Sequence, residues 1–465
     1  MRLVDYLKHD AVGLASLVAR REASPQELLD VALEQNARAH PRINAVCRLM
    51  DKEARAQLAG RLSGPFAGVP FLIKDIAQDY AGVPTTSGSR SMASVVPSEH
   101  AHVVRRYLAA GLVIFGKTNL PEFALKGVTD SALFGATHNP WKLGRTPGGS
   151  SGGGVAAEAV GMGNLAIGTD GAGSVRIPCA FTGLFGLKPT QGRVPIWPPS
   201  AQGTLSHVGP MTRTVRDAAV LMNVIARPDW RDAYSRPDDI ENYAKGLDKS
   251  VKHLRIAYSP NLGFIEREKI DRDVAQSVEA AVRVFRTLGA KVVEDSPDFA
   301  GLDPRKILNA HWQSNVAVLL KQFSPEKRAL MDPGLIKAAE VGAGLGQDAV
   351  VTAIHQRQQL AVTMNLFLQK YDLLLTPTMP MTAFAVNENG AWGGEGVDIG
   401  WTPFTLTFNL TRHPAATIPC GLDREGLPIG LQIVSGLARD ALVLRAAAAY
   451  ERVRPIPAPP MAHQI

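Results

Sequence analysis

Apolar and polar positions along this chain switch repeatedly between helical and strand-like spacing. The first 60 residues read as helices. Within them, Ser24-Pro25-Gln26-Glu27 is a capping box with proline at the first helical position. Val69 to Ile73 is short and wholly apolar, as a buried strand is, and it ends at Lys74. Val103 to Ala110 reads as a helix closed by Gly111, and the strand Leu112 to Phe115 follows at once. The same helix–glycine–strand unit recurs as Asp273 to Leu288, Gly289, and Lys291 to Glu294. Val350 to Lys370 is helical and returns as the strand Leu373 to Leu375. Alternation of this kind predicts an α/β protein packed around one large sheet.

The pattern breaks in a few places. Val194 to Pro199 and Asn387 to Gly400 are loops carrying aromatic residues, which either shape a pocket or simply connect elements. The final stretch, RPIPAPPMAHQI, reads as a loose tail. The sharpest break runs from Pro147 to Pro178, where two serine-bearing glycine loops flank a small-residue helix that leads into a strand. Glycine loses more backbone freedom on folding than any other residue, so such a concentration signals close backbone approach or unusual angles.

Composition narrows the function classes. The chain holds 50 Lys and Arg against 43 Asp and Glu, yet there is no basic run and no aromatic–basic repeat. Local clusters such as Glu266-Arg267-Glu268-Lys269 mix both signs, so no nucleic-acid partner is expected. No run of 18 apolar residues occurs, and the charged N-terminus lacks the apolar core of a signal peptide, so no membrane association is expected. Cys47, Cys179 and Cys420 are odd in number and widely spaced. They form no disulfide framework and no metal-ligand spacing, which points to the cytoplasm and to no metal.

Three chemistries could use the glycine loops. A phosphate-binding loop ends in Gly-Lys-Ser/Thr, and Gly148 to Gly154 has no lysine. Gly161-Met162-Gly163-Asn164-Leu165-Ala166 matches a degenerate dinucleotide fingerprint, but no clear strand precedes it and close helix packing explains it as well. A nucleophile elbow, G-x-S-x-G, fits Ser150 or Ser151, but loop rather than strand leads into it. The available histidines, His207, His311, His355 and His413, stand in no telling context. The third chemistry uses Lys74 as base. An ordinary lysine, with a pKa of about 10.4, is useless as a base at neutral pH, but desolvation favours the neutral amine. Taken alone, Lys74 would by default be salt-bridged to Asp75 or another acid.

Lys74 within Gly68 to Asp75, the Gly148–Gly154 loop, and Gly168 to Pro178 together resemble the amidase signature family. So do Lys117-Thr118-Asn119, Phe134-Gly135, Asn139-Pro140-Trp141, Gly183 to Thr190, Val208 to Met211 and Gly430 to Val434. The resemblance is continuous from about residue 65 to 215 and looser to about 450. It implies one domain over residues 1–465, built on a large mixed central β-sheet flanked on both faces by helices. The signature core would span about 65–215, and a helical N-terminal segment residues 1–60.

The resemblance also implies a Ser–cis-Ser–Lys triad: Ser174 as acyl nucleophile, Ser150 as bridging serine and Lys74 as base. The 24-residue spacing of the two serines selects Ser150 over Ser151. The peptide before Ser150 would be cis. The turn Gly171-Ala172-Gly173 would aim backbone N–H groups at a developing oxyanion. Asp170 and Arg176 would pair to hold that turn, and Ser151 would hydrogen-bond within its own loop. Cys179 would be a packed small apolar residue. Trp197, Trp312, Trp401, Phe404 and Phe408 are candidates for either pocket lining or core. The activity implied is hydrolysis of small uncharged aryl, alkyl or cyclic amides, without a cofactor, by a chain that could form a homodimer. The alternative is the amidase subunit of a tRNA-dependent amidotransferase. Against it, Lys117 to Ser131 departs from the Met-Gly-Ser-Ser-Thr-Glu-like run of such subunits.

Overall fold

Strand Leu373–Pro377 shows how the molecule is layered. Leu373 and Leu375 face one apolar cluster and Leu374 the opposite one, and all three are fully buried. Alternate side chains of a strand point to opposite faces, so a strand apolar at every position must be covered on both sides. The computed structural model describes residues 1–237, 241–388, 390 and 399–463.

Eleven strands are seen among the described residues. They are β1 (Val46–Leu49), β2 (Pro70–Lys74), β3 (Val113–Thr118), β4 (Ala166–Asp170), β5 (Phe185–Lys188), β6 (His207–Thr212), β7 (Arg255–Tyr258), β8 (Lys291–Glu294), β9 (Leu373–Pro377), β10 (Ala415–Leu422) and β11 (Pro428–Ser435). Eight form one mixed sheet in the order β4-β6-β5-β10-β11-β9-β7-β8. The ladders from β4 to β9 are antiparallel, and β7 runs parallel to both β9 and β8. Helices Val215–Ile225, Arg272–Thr287 and Asp440–Glu451 bury apolar side chains in the cluster on one face. Helices Pro304–Leu320, Gln347–Lys370 and Pro403–Leu410 do so in the cluster on the other. β1, β3 and β2 form a smaller sheet, with β2 parallel to β3.

Both helix–glycine–strand units are present. Gly111 and Gly289 adopt φ of +81° and +87°, the left-handed turn that ends a helix and is easiest for glycine. The capping box is complete: Ser24 Oγ accepts the Glu27 N–H at 3.1 Å, and the Glu27 carboxylate accepts the Ser24 N–H at 2.8 Å.

Two readings of the ends need correction. The first 60 residues are not all helical, because β1 lies between helices Pro25–Ile43 and Asp51–Leu58. Four residues are too few to show a period, and pairing with β3 decides their conformation. The C-terminal stretch is not wholly loose: Pro460–His463 forms a short 3-10 turn, and Met461 is buried in an apolar cluster with Leu29 and Ala32. The loop read at Asn387 to Gly400 falls largely outside the described residues. Among the described residues no helix is long and apolar enough to cross a membrane.

Candidate active site

Two fully buried lysines stand near the C-terminal ends of the paired strands β2 and β3, and they differ in one respect. Lys117 lies 3.3 Å from the carboxylate of Asp75 and donates to Thr85 Oγ1 at 2.6 Å. Among the described residues the Lys74 amine meets only hydroxyls: Ser150 Oγ at 2.8 Å, Ser151 Oγ at 2.9 Å and Thr169 Oγ1 at 2.9 Å. The default partner of Lys74, its neighbour Asp75, is thus taken by Lys117. Asp75 also accepts from the Thr86 N–H and hydroxyl. Loss of water around Lys74 lowers its pKa to about 7, against the upward pull of the Asp170 charge. A neutral amine has two hydrogens and one lone pair. Three hydroxyls can satisfy it, with one of them donating.

The Gly149–Ser150 peptide is cis. Glycine is required at 149 because a Cβ there would overlap the Val128 backbone. Ser151 departs from its expected partner. Instead of bonding within its own loop, it receives Lys74 and reaches the Thr169 carbonyl at 3.4 Å. It stands just before helix Gly152–Ala159, where its side chain faces β2 and β4.

β4 delivers the second loop. Its last residue, Asp170, accepts the N–H groups of Gly173 at 2.8 Å and Val175 at 3.2 Å. It also takes a bidentate pair from Arg176 at 3.0 and 2.9 Å. Burial alone would raise the Asp170 carboxyl, but the Arg176 guanidinium and its hydrogen bonds hold it below the ordinary range. Arg176 also donates to Thr405 O and Gln432 Oε1, each at 2.8 Å, and to Asn409 Oδ1 at 2.6 Å. The turn is therefore anchored to helix Pro403–Leu410 and to β11. Removing one partner of a fully buried pair strands the other charge. Asp170→Ala is expected to lower stability by about 3–5 kcal/mol, read as a lower urea midpoint. An unchanged midpoint would show that the pair does not hold the turn.

Ser174 projects from this turn. It is 8% exposed, and its hydroxyl has no hydrogen-bond partner among the described residues. Of the three expected oxyanion donors, Gly173 already gives its N–H to Asp170. Among the described residues no hydrogen bond holds the N–H groups of Gly171 and Ala172. Gly173 is needed for its backbone instead: φ is +135°, and a Cβ there would overlap Thr405.

Ser150, Thr169, Gly171 and Ser174 line one cavity of about 350 Å³. The Val194 to Pro199 loop contributes Ile196, Pro198 and Pro199 to it. Of the aromatic candidates only Trp312 lines it. Trp401 packs against Phe384, Phe404 and Phe408 are fully buried core, and Trp197 lies beneath Arg231. Phe123 and Phe323, which the sequence did not single out, meet edge to face at 5.6 Å in the cavity wall. Phe123 holds φ +49°, a conformation that no periodic signal announces.

Cys179 is buried, with its thiol pKa pushed well up by desolvation. None of His207, His311, His355 and His413 is hydrogen-bonded to Ser150, Ser151 or Ser174 among the described residues. Gly161 to Ala166 leads into β4 rather than a helix, unlike a dinucleotide turn. Among the described residues no group of three or more His, Cys, Asp or Glu side chains could hold a metal ion.

A family model described as Amidase matches residues 27–444. An acylamidase of Rhodococcus erythropolis is 38% identical over 461 residues, covering 96% of this chain and 95% of that protein. A glutamyl-tRNA(Gln) amidotransferase subunit from Myxococcus xanthus (strain DK1622) is 37% identical over 473 residues, covering 94% of this chain and 96% of that protein. Among solved structures, 6-aminohexanoate cyclic dimer hydrolase complexed with substrate has a TM-score of 0.90 at 29% identity, covering 98% of this chain and 99% of that one. A bacterial aryl acylamidase has a TM-score of 0.89 at 30% identity, covering 96% of each chain.

Proposed function

This chain belongs to the amidase signature family and is an amide-hydrolysing enzyme, and we propose that its chemistry runs through an ester on Ser174. Ser174 Oγ, unbonded at rest among the described residues, first turns to donate to Ser150 Oγ. Neutral Lys74 then takes a proton from Ser150 as Ser150 takes one from Ser174, and Ser174 Oγ attacks the amide carbonyl. The tetrahedral oxyanion is met by the free N–H groups of Gly171 and Ala172. The relay then reverses: Ser150 protonates the departing nitrogen, Lys74 returns its proton to Ser150, and the amine leaves. Water, deprotonated by the same relay, cleaves the ester to the acid. One amide and one water become one acid and one amine. The observation that carries this reading is the 2.8 Å contact between Ser150 Oγ and an amine that has no carboxylate partner among the described residues.

The substrate class proposed is small uncharged aryl, alkyl or cyclic amides. The cavity wall is mainly apolar, with Phe123, Phe323 and Trp312 in it. The relatives include an acylamidase, an aryl acylamidase and a cyclic dimer hydrolase. The second reading, as one component of an amidotransferase, draws on the relatives of that name. It fits the cavity less well, because glutamine carries a carboxylate and no Lys, Arg or His side chain lines the cavity among the described residues. Cys47, Cys179 and Cys420 are all free thiols, in keeping with a cytoplasmic enzyme.

A panel of aryl, alkyl and cyclic amides, esters, ureas and glutamine, assayed with the purified chain alone, tests the choice. An aryl or alkyl amide is expected to exceed glutamine in kcat/KM by about 100-fold or more, the margin a site loses when a substrate charge is left unpaired. Glutamine as the best substrate would favour the amidotransferase reading.

A further inference from the structure

The cavity wall carries several polar side chains, and most of them already have protein partners. Thr85 accepts from Lys117, Ser200 and Ser206 share a hydrogen bond, and Gln202 accepts from Asn315. Asp79 differs. It is the one charged side chain lining the cavity among the described residues, and its carboxylate has no hydrogen bond or ion pair among them. The nearby cation, Lys117, is held by Asp75, by Thr85 and by the Pro84 carbonyl. Ser87, on the same 75–88 segment, is 6% exposed and lines the cavity with a hydroxyl that also has no partner among the described residues. Both residues are spaced along backbone that turns through positive φ at Ala77 (+57°) and at Ser87 itself (+53°). Non-glycine residues hold such angles only where the surrounding structure enforces them, and they gather at functional sites.

A half-buried carboxylate left unpaired in an apolar wall is unfavourable unless a ligand or water completes it. Its chemistry is that of an acceptor alone, so it suits a group that only donates, and an ammonium does so most strongly. The aromatic walls of Phe123 and Phe323 tolerate a cation as well. A carboxylate in the substrate would be repelled. We infer that Asp79 is a specificity-determining residue that draws amides bearing an amine, distant from the scissile bond, into the cavity and turns away those bearing a carboxylate. This rests on the cavity being the substrate site, and it departs from a wholly uncharged substrate by adding one cationic end to an otherwise apolar amide.

The test is competitive inhibition by three probes of one length, hexylammonium, hexanol and hexanoate, against turnover of a neutral anilide at fixed pH and salt. In the wild type, hexylammonium is expected to inhibit at about fivefold lower concentration than hexanol, and hexanoate at higher concentration than either. In Asp79→Asn and Asp79→Ala the gap between hexylammonium and hexanol should close. Each comparison is a ratio within one protein, so a general fall in activity does not disturb it. Equal inhibition by hexylammonium and hexanol in the wild type, or a preference that survives Asp79→Asn, would overturn the inference. Turnover that still depends on Ser174 would at the same time leave the hydrolase reading standing.

Discussion

Ser174→Ala is expected to lower kcat/KM on an aryl or alkyl amide by about 10⁵- to 10⁶-fold, the scale seen when the nucleophile of a hydroxyl-based relay is removed. The reason is local. Ser174 is the one hydroxyl of the set with no protein partner among the described residues, so it is free to meet a carbonyl in the cavity. For the same reason its loss breaks no hydrogen bond, and the urea midpoint should stay within about 0.5 kcal/mol of wild type. Activity and stability would therefore separate cleanly. The wild type should also pass the acyl group of an amide to hydroxylamine, and the alanine variant should not, because the trapped species is the Ser174 ester. Near-normal turnover in Ser174→Ala would remove the nucleophile from the account.

The second large effect is at Lys74. Lys74→Ala is expected to lose about 10³- to 10⁵-fold in kcat/KM, and Ser150→Ala somewhat less, since a water could stand in for a bridging hydroxyl. Lys74→Arg should not restore activity, because a guanidinium stays protonated and cannot act as base. The pH profile follows from burial. The reactive form is the neutral amine, and desolvation brings its pKa down to about 7. Below that value the fraction of neutral amine falls tenfold per pH unit, and kcat/KM of the wild type should fall with it. Above it the rate should level off. A lysine at its ordinary pKa would instead give a rate still rising past about pH 9.

How much of this could be read from the residues depends on where each signal lay. Helix-closing glycines at 111 and 289 carry their reason in their own backbone, so the units around them were legible. The serines and Lys74 sit in contiguous motifs, and those motifs converge on one cavity wall. Thr169 escaped notice because it looks like any strand threonine. Only β4 lying beside Ser151 and Lys74 makes it the third hydroxyl on the amine. The pairing of Lys117 with Asp75 needs two neighbouring strands to be in register, which no local pattern encodes. Gln432 stood within a noted motif, yet its task of holding Arg176 appears only when β11 meets the turn after β4. Phe123 and Phe323 line the cavity from irregular backbone, where periodicity has nothing to say.

Both proton-accepting steps, attack by Ser174 and activation of water, ask that the Lys74 amine be uncharged near neutral pH. Its protonation can be followed directly in protein carrying ¹³C at lysine Cε, with the Lys74 signal assigned by its disappearance in Lys74→Met. The midpoint of its shift with pH should fall near about 7. A midpoint near about 10.4, the value of a solvated lysine, would contradict the account.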